Sequence, residues 1–111
     1  MRVTDQLIKG ILLTLPPDRV NPVVAGSCVF TDEDGRHCIA GEALSILDFP
    51  VPEWDDKLNT ETNVDELIER VPTDLDFTKG AVQLLRDAQF HADEHITWGE
   101  VIKRMENAGQ L

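Results

Sequence analysis

The chain contains no tyrosine, and its aromatic content is 5%. Its 10 basic side chains are outnumbered by 21 acidic ones, for a formal net charge of -11. Sheets that bind RNA need aromatic rings interleaved with basic side chains. A surface of this sign also repels phosphates, so direct nucleic-acid binding is not expected. No apolar stretch approaches the ~20 residues that a membrane-spanning helix requires. The opening residues MRVTDQLIKG are polar where a secretory signal would need an unbroken apolar run. A cytoplasmic protein with no membrane contact is therefore expected. Glycines are scattered, with no Gly-Lys-Ser/Thr cradle for phosphate, and no cofactor is expected. There is no internal repeat and no low-complexity tract.

What is present suits one domain over residues 1–111, since domains of roughly 100–150 residues are common. Hydrophobic residues make up 41% of the chain, enough for one modest core. The acidity is local. Residues 1–30 sum to +1 and residues 77–111 to -1, so the whole excess of -11 lies in residues 31–76. Such a field keeps a protein soluble, and it can also steer encounter with a basic partner.

Val3, Leu7, Ile8, Ile11, Leu12 and Leu15 recur at helical spacing, which predicts a helix over residues 4–15, capped by Thr4 or Asp5 and stopped by Pro16-Pro17. Residues 18–26 read as a loop. Two short β-prone runs, residues 27–30 and 36–40, flank the turn Thr31-Asp32-Glu33-Asp34-Gly35 and predict a hairpin. A short helix over residues 42–47, opened by Gly41, follows. Residues 48–62, with Pro50 and Pro52, read as a long loop anchored by Trp54 and Leu58. Asn63 can cap a helix over 64–71, which Pro72 ends. The strongest helical pattern spans residues 78–96, with Thr78 as its cap and Ala81, Leu84, Leu85, Ala88 and Ala92 on one face. Thr97 and Glu100 form a capping box for a last helix, with Ile96 and Val101 as its staple. The expected fold is α+β and mainly helical, a short β-hairpin packed against about four to five helices.

The ordered series Cys28-Val29-Phe30, Cys38-Ile39-Ala40-Gly41-Glu42-Ala43-Leu44, Leu58-Asn59, Phe77-Thr78-x-x-Ala81, Leu84-Leu85, Ala88-Gln89 and Thr97-Trp98-Gly99 resembles a pattern in small uncharacterised proteins of actinobacteria and their phages. The similarity covers roughly residues 27–105. It carries no catalytic assignment. It implies a bacterial or phage-encoded cytoplasmic protein, of the kind phages direct against host factors.

Several residues invite chemistry. Cys28 and Cys38 flank the turn and can be read as a disulfide pair or, in a reducing cytosol, as small buried hydrophobes. His91 and His95 at i, i+4 on a helix, joined by both cysteines, make a candidate zinc set. The ten-residue offset between the cysteines is not that of a zinc knuckle, and Glu94 lacks the zincin position. Cys38 precedes a helix N-terminus, where a thiol pKa falls, which makes it a candidate nucleophile. His37 beside it would point to the opposite face of a strand. Asp32-Glu33-Asp34-Gly35 matches half a calcium loop, but Gly41 stands where the closing Glu belongs. Trp98 reads as structural, whereas Trp54, between prolines and acids, reads as an anchor or an interface hot spot.

These features favour a non-enzymatic, acidic interaction module that binds a host or cellular protein with a basic or mixed surface. The expected contacts are Asp32, Glu33 and Asp34 at the turn, with Glu53, Trp54, Asp55 and Asp56 in the loop. Two alternatives stand beside it: a zinc- or thiol-dependent protein using Cys28, Cys38, His91 and His95, and a nucleic-acid mimic with carboxylates in place of phosphates.

Overall fold

A computed structural model describes the backbone of residues 1–24 and 27–111, and their side chains except those of residues 23, 24, 27, 28 and 61. Thr4 accepts the N–H of Leu7 and starts α1 (Asp5–Thr14), which buries Ile8, Ile11 and Leu12. The chain then runs through β2 (Val23–Val24) and β3 (Ser27–Cys28), an antiparallel pair. Next come α2 (Ile39–Ile46), a single turn α3 (Leu58–Glu61) and α4 (Val64–Arg70). The last helices are α5 (Lys79–Ala92) and α6 (Trp98–Asn107). Before α1, β1 (Arg2–Val3) lies parallel to β4 (Asp76–Phe77), the short strand that leads into α5. The fold is thus mostly helical, with six helices and short strand pairs among the described residues.

α5 is the central element. Its face of Ala81, Leu84, Leu85, Ala88 and Ala92 is buried, and α1, α2, α4 and α6 pack around it. The small alanines let neighbouring helices approach closely, and longer side chains from those neighbours fill the space. Val3, Ile8, Leu12, Ile39, Leu44, Leu67, Val101 and Met105 are all sequestered from solvent. Phe49 and Phe77 meet edge to face at 6.4 Å. Trp98 is fully buried, its indole N–H donating to Asn21 Oδ1 at 3.0 Å and its ring lying under the Arg19 guanidinium.

The expected hairpin is not where the β-prone runs stand. The two runs meet at one isolated bridge, Thr31 with His37, and by the bond of the Cys38 N–H to the Phe30 carbonyl. Ile39 and Ala40 already belong to α2. The reason is that the start of this helix finds its hydrogen-bond acceptors outside the strand pattern. The N–H of Ile39 donates to Asn21 Oδ1, that of Ala40 to Gln89 Oε1, and that of Gly41 to Cys38 Sγ. Donors that normally go unpaired in a first turn are satisfied from three separate parts of the chain. That accounting stabilises a helix beginning at Ile39, two residues upstream of the expected opening at Gly41.

Other boundaries shift for local reasons. α5 ends at Ala92 and not at residue 96: Asp93 caps it, the N–H groups of Glu94 and His95 reach back only three residues, and His95 takes a left-handed φ of 63°. Leu47 caps α2, the next residue, Asp48, has a φ of 60°, and the N–H of Phe49 reaches back to the Leu44 carbonyl in a Schellman closure. Within the expected loop of residues 48–62, α3 forms as one turn. Among the described residues no helix is long and apolar enough to cross a membrane.

Candidate functional site

The turn of residues 31–37 is built around Asp32. Its Oδ1 accepts the N–H groups of Asp34 and Arg36, and its Oδ2 accepts Nε of Arg36 at 3.0 Å. Gly35, at a φ of 81°, closes the turn. Burial works to raise the Asp32 pKa, but the N–H of Arg36, the Arg36 charge and the N–H of Asp34 outweigh it and hold the carboxyl below the usual carboxylate range. Asp32 is only 7% exposed, so it shapes the turn instead of offering charge to a partner. Glu33 and Asp34 are exposed, Asp34 pairing with Arg36 at 3.1 Å.

Thr31 ties this turn to the second acidic segment. Its N–H donates to Asn59 Oδ1 at 2.8 Å, and its carbonyl accepts Asn59 Nδ2 at 2.9 Å. The Thr31 hydroxyl donates to the Pro52 carbonyl at 2.8 Å. A hydroxyl has one proton, so the 3.0 Å contact with His37 requires Nδ1–H of the imidazole to be the donor. Asn59 Nδ2 also reaches the Trp54 carbonyl, which fixes the loop carrying Glu53, Trp54, Asp55 and Asp56. All four of those side chains are exposed, Trp54 by 41%. Asp56 accepts the N–H of Leu58 and so helps start α3. The sequence leaves open whether the two acidic segments meet; Asn59, itself 1% exposed, holds them side by side.

The thiol and metal candidates separate. Cys38 is fully buried and free. It is the N-cap of α2, yet burial pushes its pKa up to about 12, further raised by the Asp93 charge and only partly offset by hydrogen bonds from Gly41 and Gln89. The expected lowering by the helix start is overridden, because desolvation of a thiolate costs more than one weak N–H···S bond returns. The Cys28 side chain, expected as a disulfide partner or a zinc ligand, lies outside the described residues. His91 stands in the last turn of α5, whereas His95 lies beyond its end, so the two do not share a helical face. Among the described residues, no group of three or more His, Cys, Asp and Glu side chains is placed to hold a metal ion.

A cleft of about 300 Å³ opens between α4 and α5, close to the clamp. Val29, Phe30, Asn59 and Val64 form its buried floor, and Asn63 and Asp65 stand on the α4 side. On the α5 side, Arg86, Gln89, Phe90 and Asp93 follow i, i+3, i+4, i+7 spacing, a second stripe beside the buried alanine face. Phe90 is 69% exposed, the largest exposure of any large apolar side chain described. That stripe is visible in the sequence as a lone aromatic among polar residues. A second hollow, lined by Arg19, Asn21, Asp32, Arg36 and His37, is occupied by charges that pair within the fold: Arg36 with Asp32 at 3.0 Å and Arg19 with Glu42 at 3.7 Å.

Compared with family models, with curated proteins and with solved structures, the chain matches none of them.

Proposed function

We propose that the protein is a non-enzymatic interaction module that docks its acidic segments on a basic or mixed surface of a partner protein. The observation that supports this reading is the Thr31–Asn59 clamp. It spends a buried asparagine on holding two acidic loops together, with a partly exposed tryptophan between carboxylates. Large aromatics at the centre of a patch supply affinity, while surrounding carboxylates supply rate and selectivity. The contact set is Glu33, Glu53, Trp54 and Asp55, with Asp34 and Asp56 at its edge because each has a partner inside the fold. Asp32 drops out of it. The resemblance to small proteins of actinobacteria and their phages makes a host protein the class of partner.

The test is capture of a partner from host lysate on immobilised protein, with identification and reconstitution of the purified pair. The Glu53→Lys/Asp55→Lys variant should fold normally and lose the partner, and binding should weaken steeply with added salt. Undiminished binding by that variant removes the acidic-loop reading.

A further inference from the structure

The cleft between α4 and α5 has features that the fold does not explain. Phe90 leaves 69% of its surface in water, and its one aromatic contact among the described residues is an edge-to-face approach to His91. Asp65 Oδ1, shielded from solvent, is ion-paired with Arg86 Nε at 3.5 Å, yet it accepts no hydrogen bond among the described residues. Across the cleft, Asp93 uses Oδ1 for both of its bonds, to Asn21 and Gln89. The floor between these carboxylates is mainly apolar, made by Val29, Phe30 and Val64 with the Asn59 amide beside them.

We propose that this cleft receives one arginine side chain from a basic segment of the partner. The inference rests on the docking reading above and names the chemistry of its deepest contact. A volume of about 300 Å³ is at the low end for ligand pockets and suits one long side chain, not a helix. A planar guanidinium stacks on an aromatic face and gives carboxylates two parallel donors, which an ammonium cannot do. The aliphatic stem of the arginine covers the floor, its guanidinium lies against Phe90, and its donors reach Asp65 and Asp93. The charged groups lining the cleft, Asp65 and Asp93 against Arg86, are net negative, so a cation is drawn to it and an anion is repelled. Arg86 occupies part of the same place and competes with the incoming group.

The full chain, labelled with ¹⁵N, is titrated with acetyl-Gly-Arg-Gly-amide and, separately, with its citrulline counterpart, which has the same shape without the charge. Amide shifts are expected at residues 63–65 and 86–93 with the arginine peptide, and affinity at least about tenfold lower with citrulline. Phe90→Ala, whose ring is too exposed to matter for folding, and Asp65→Asn should each weaken binding, and Arg86→Ala should strengthen it. Equal binding of citrulline overturns the proposal. Shifts confined to residues 53–56 and unchanged by Phe90→Ala overturn it too, while leaving the acidic-surface reading in place. If a longer arginine-rich peptide also produces no shift at about 1 mM, both readings fail together.

Discussion

Asn59 binds Thr31 as a neighbouring strand would, its Oδ1 taking the backbone N–H at 2.8 Å and its Nδ2 giving a hydrogen bond to the carbonyl at 2.9 Å. One side chain thereby replaces a strand, and it does so where two polypeptide segments of the same charge must lie together. Like charges oppose that approach, so the hydrogen bonds and the buried Pro52–Thr31 contact must offset the repulsion.

Removing this amide should be expensive. Asn59→Ala leaves two buried backbone groups of Thr31 unpaired and is expected to cost about 2–3 kcal/mol in urea unfolding. Asn59→Asp keeps the acceptor but loses the donor and adds a buried charge, so it should be at least as harmful. A neutral outcome for Asn59→Ala would show that the two loops are held by other means.

Two glycines in helices should respond in opposite directions. A Cβ at Gly41 would lie 2.9 Å from the Phe30 backbone carbonyl, which cannot move without disturbing the turn. Gly41→Ala is therefore expected to destabilise by about 1–3 kcal/mol despite better helix propensity. Gly10, inside α1, has nothing within 4 Å of that position. Gly10→Ala should stabilise by about 0.5–1 kcal/mol, read from thermal or urea midpoints.

Cys38 should be inert in the native protein. In a Cys28→Ser background, labelling by a disulfide reagent near pH 8 is expected to be far slower than in denaturant, since thiolate is the reactive form and this thiol ionises only near pH 12. The folded pKa lies above the unfolded value, so the linked stability is fully present below the unfolded pKa of ~8.5 and is lost as pH rises toward the folded one. Replacing Cys38 with Ala in that background should flatten the fall in unfolding free energy in this alkaline window.

Asp32 gives the opposite pH dependence. Its folded pKa is held below the ordinary value, so its contribution is present above ~4 and disappears as pH falls through the folded pKa. Asp32→Asn keeps an acceptor for the N–H groups of Asp34 and Arg36 but loses the ion pair with Arg36. The variant should be less stable than the wild type at pH 7, and the gap should narrow in acid. A gap that widens below pH ~4 would contradict this assignment of Asp32.

His95 sits at a left-handed φ of 63° and is exposed. His95→Gly relieves a cost of roughly 1 kcal/mol, so the variant should melt at a higher temperature. A ligand for zinc would respond in the other direction.

Much of the helical scaffold was legible without coordinates. The starts of α1, α4, α5 and α6 fall where Thr4, Asn63, Thr78 and Thr97 announce them, and in each case that side chain accepts the N–H three residues on. Caps are local, requiring only the residue and its next turn, so periodicity and one polar side chain suffice. α2 is the counterexample. Its first N–H groups depend on Asn21 and Gln89, which lie 18 and 49 residues away, and no local window contains that information. The parallel pairing of Arg2–Val3 with Asp76–Phe77 escaped for the same reason, since strands this short carry no pattern of their own.

The candidate site divides in the same way. Composition and charge by segment were enough to locate the acidic middle of the chain, because net charge is a sum and does not depend on folding. For Trp54 the sequence left open whether it anchors its loop or faces a partner, and the fold leaves it 41% exposed. Only the tertiary structure decided which carboxylates remain outside: it turned Asp32 inward onto Arg36, clamped Thr31 to Asn59, and opened a cleft beside Phe90. Each of those outcomes depends on a hydrogen bond or a packing contact between distant residues, and sequence periodicity reports only on neighbours along the chain.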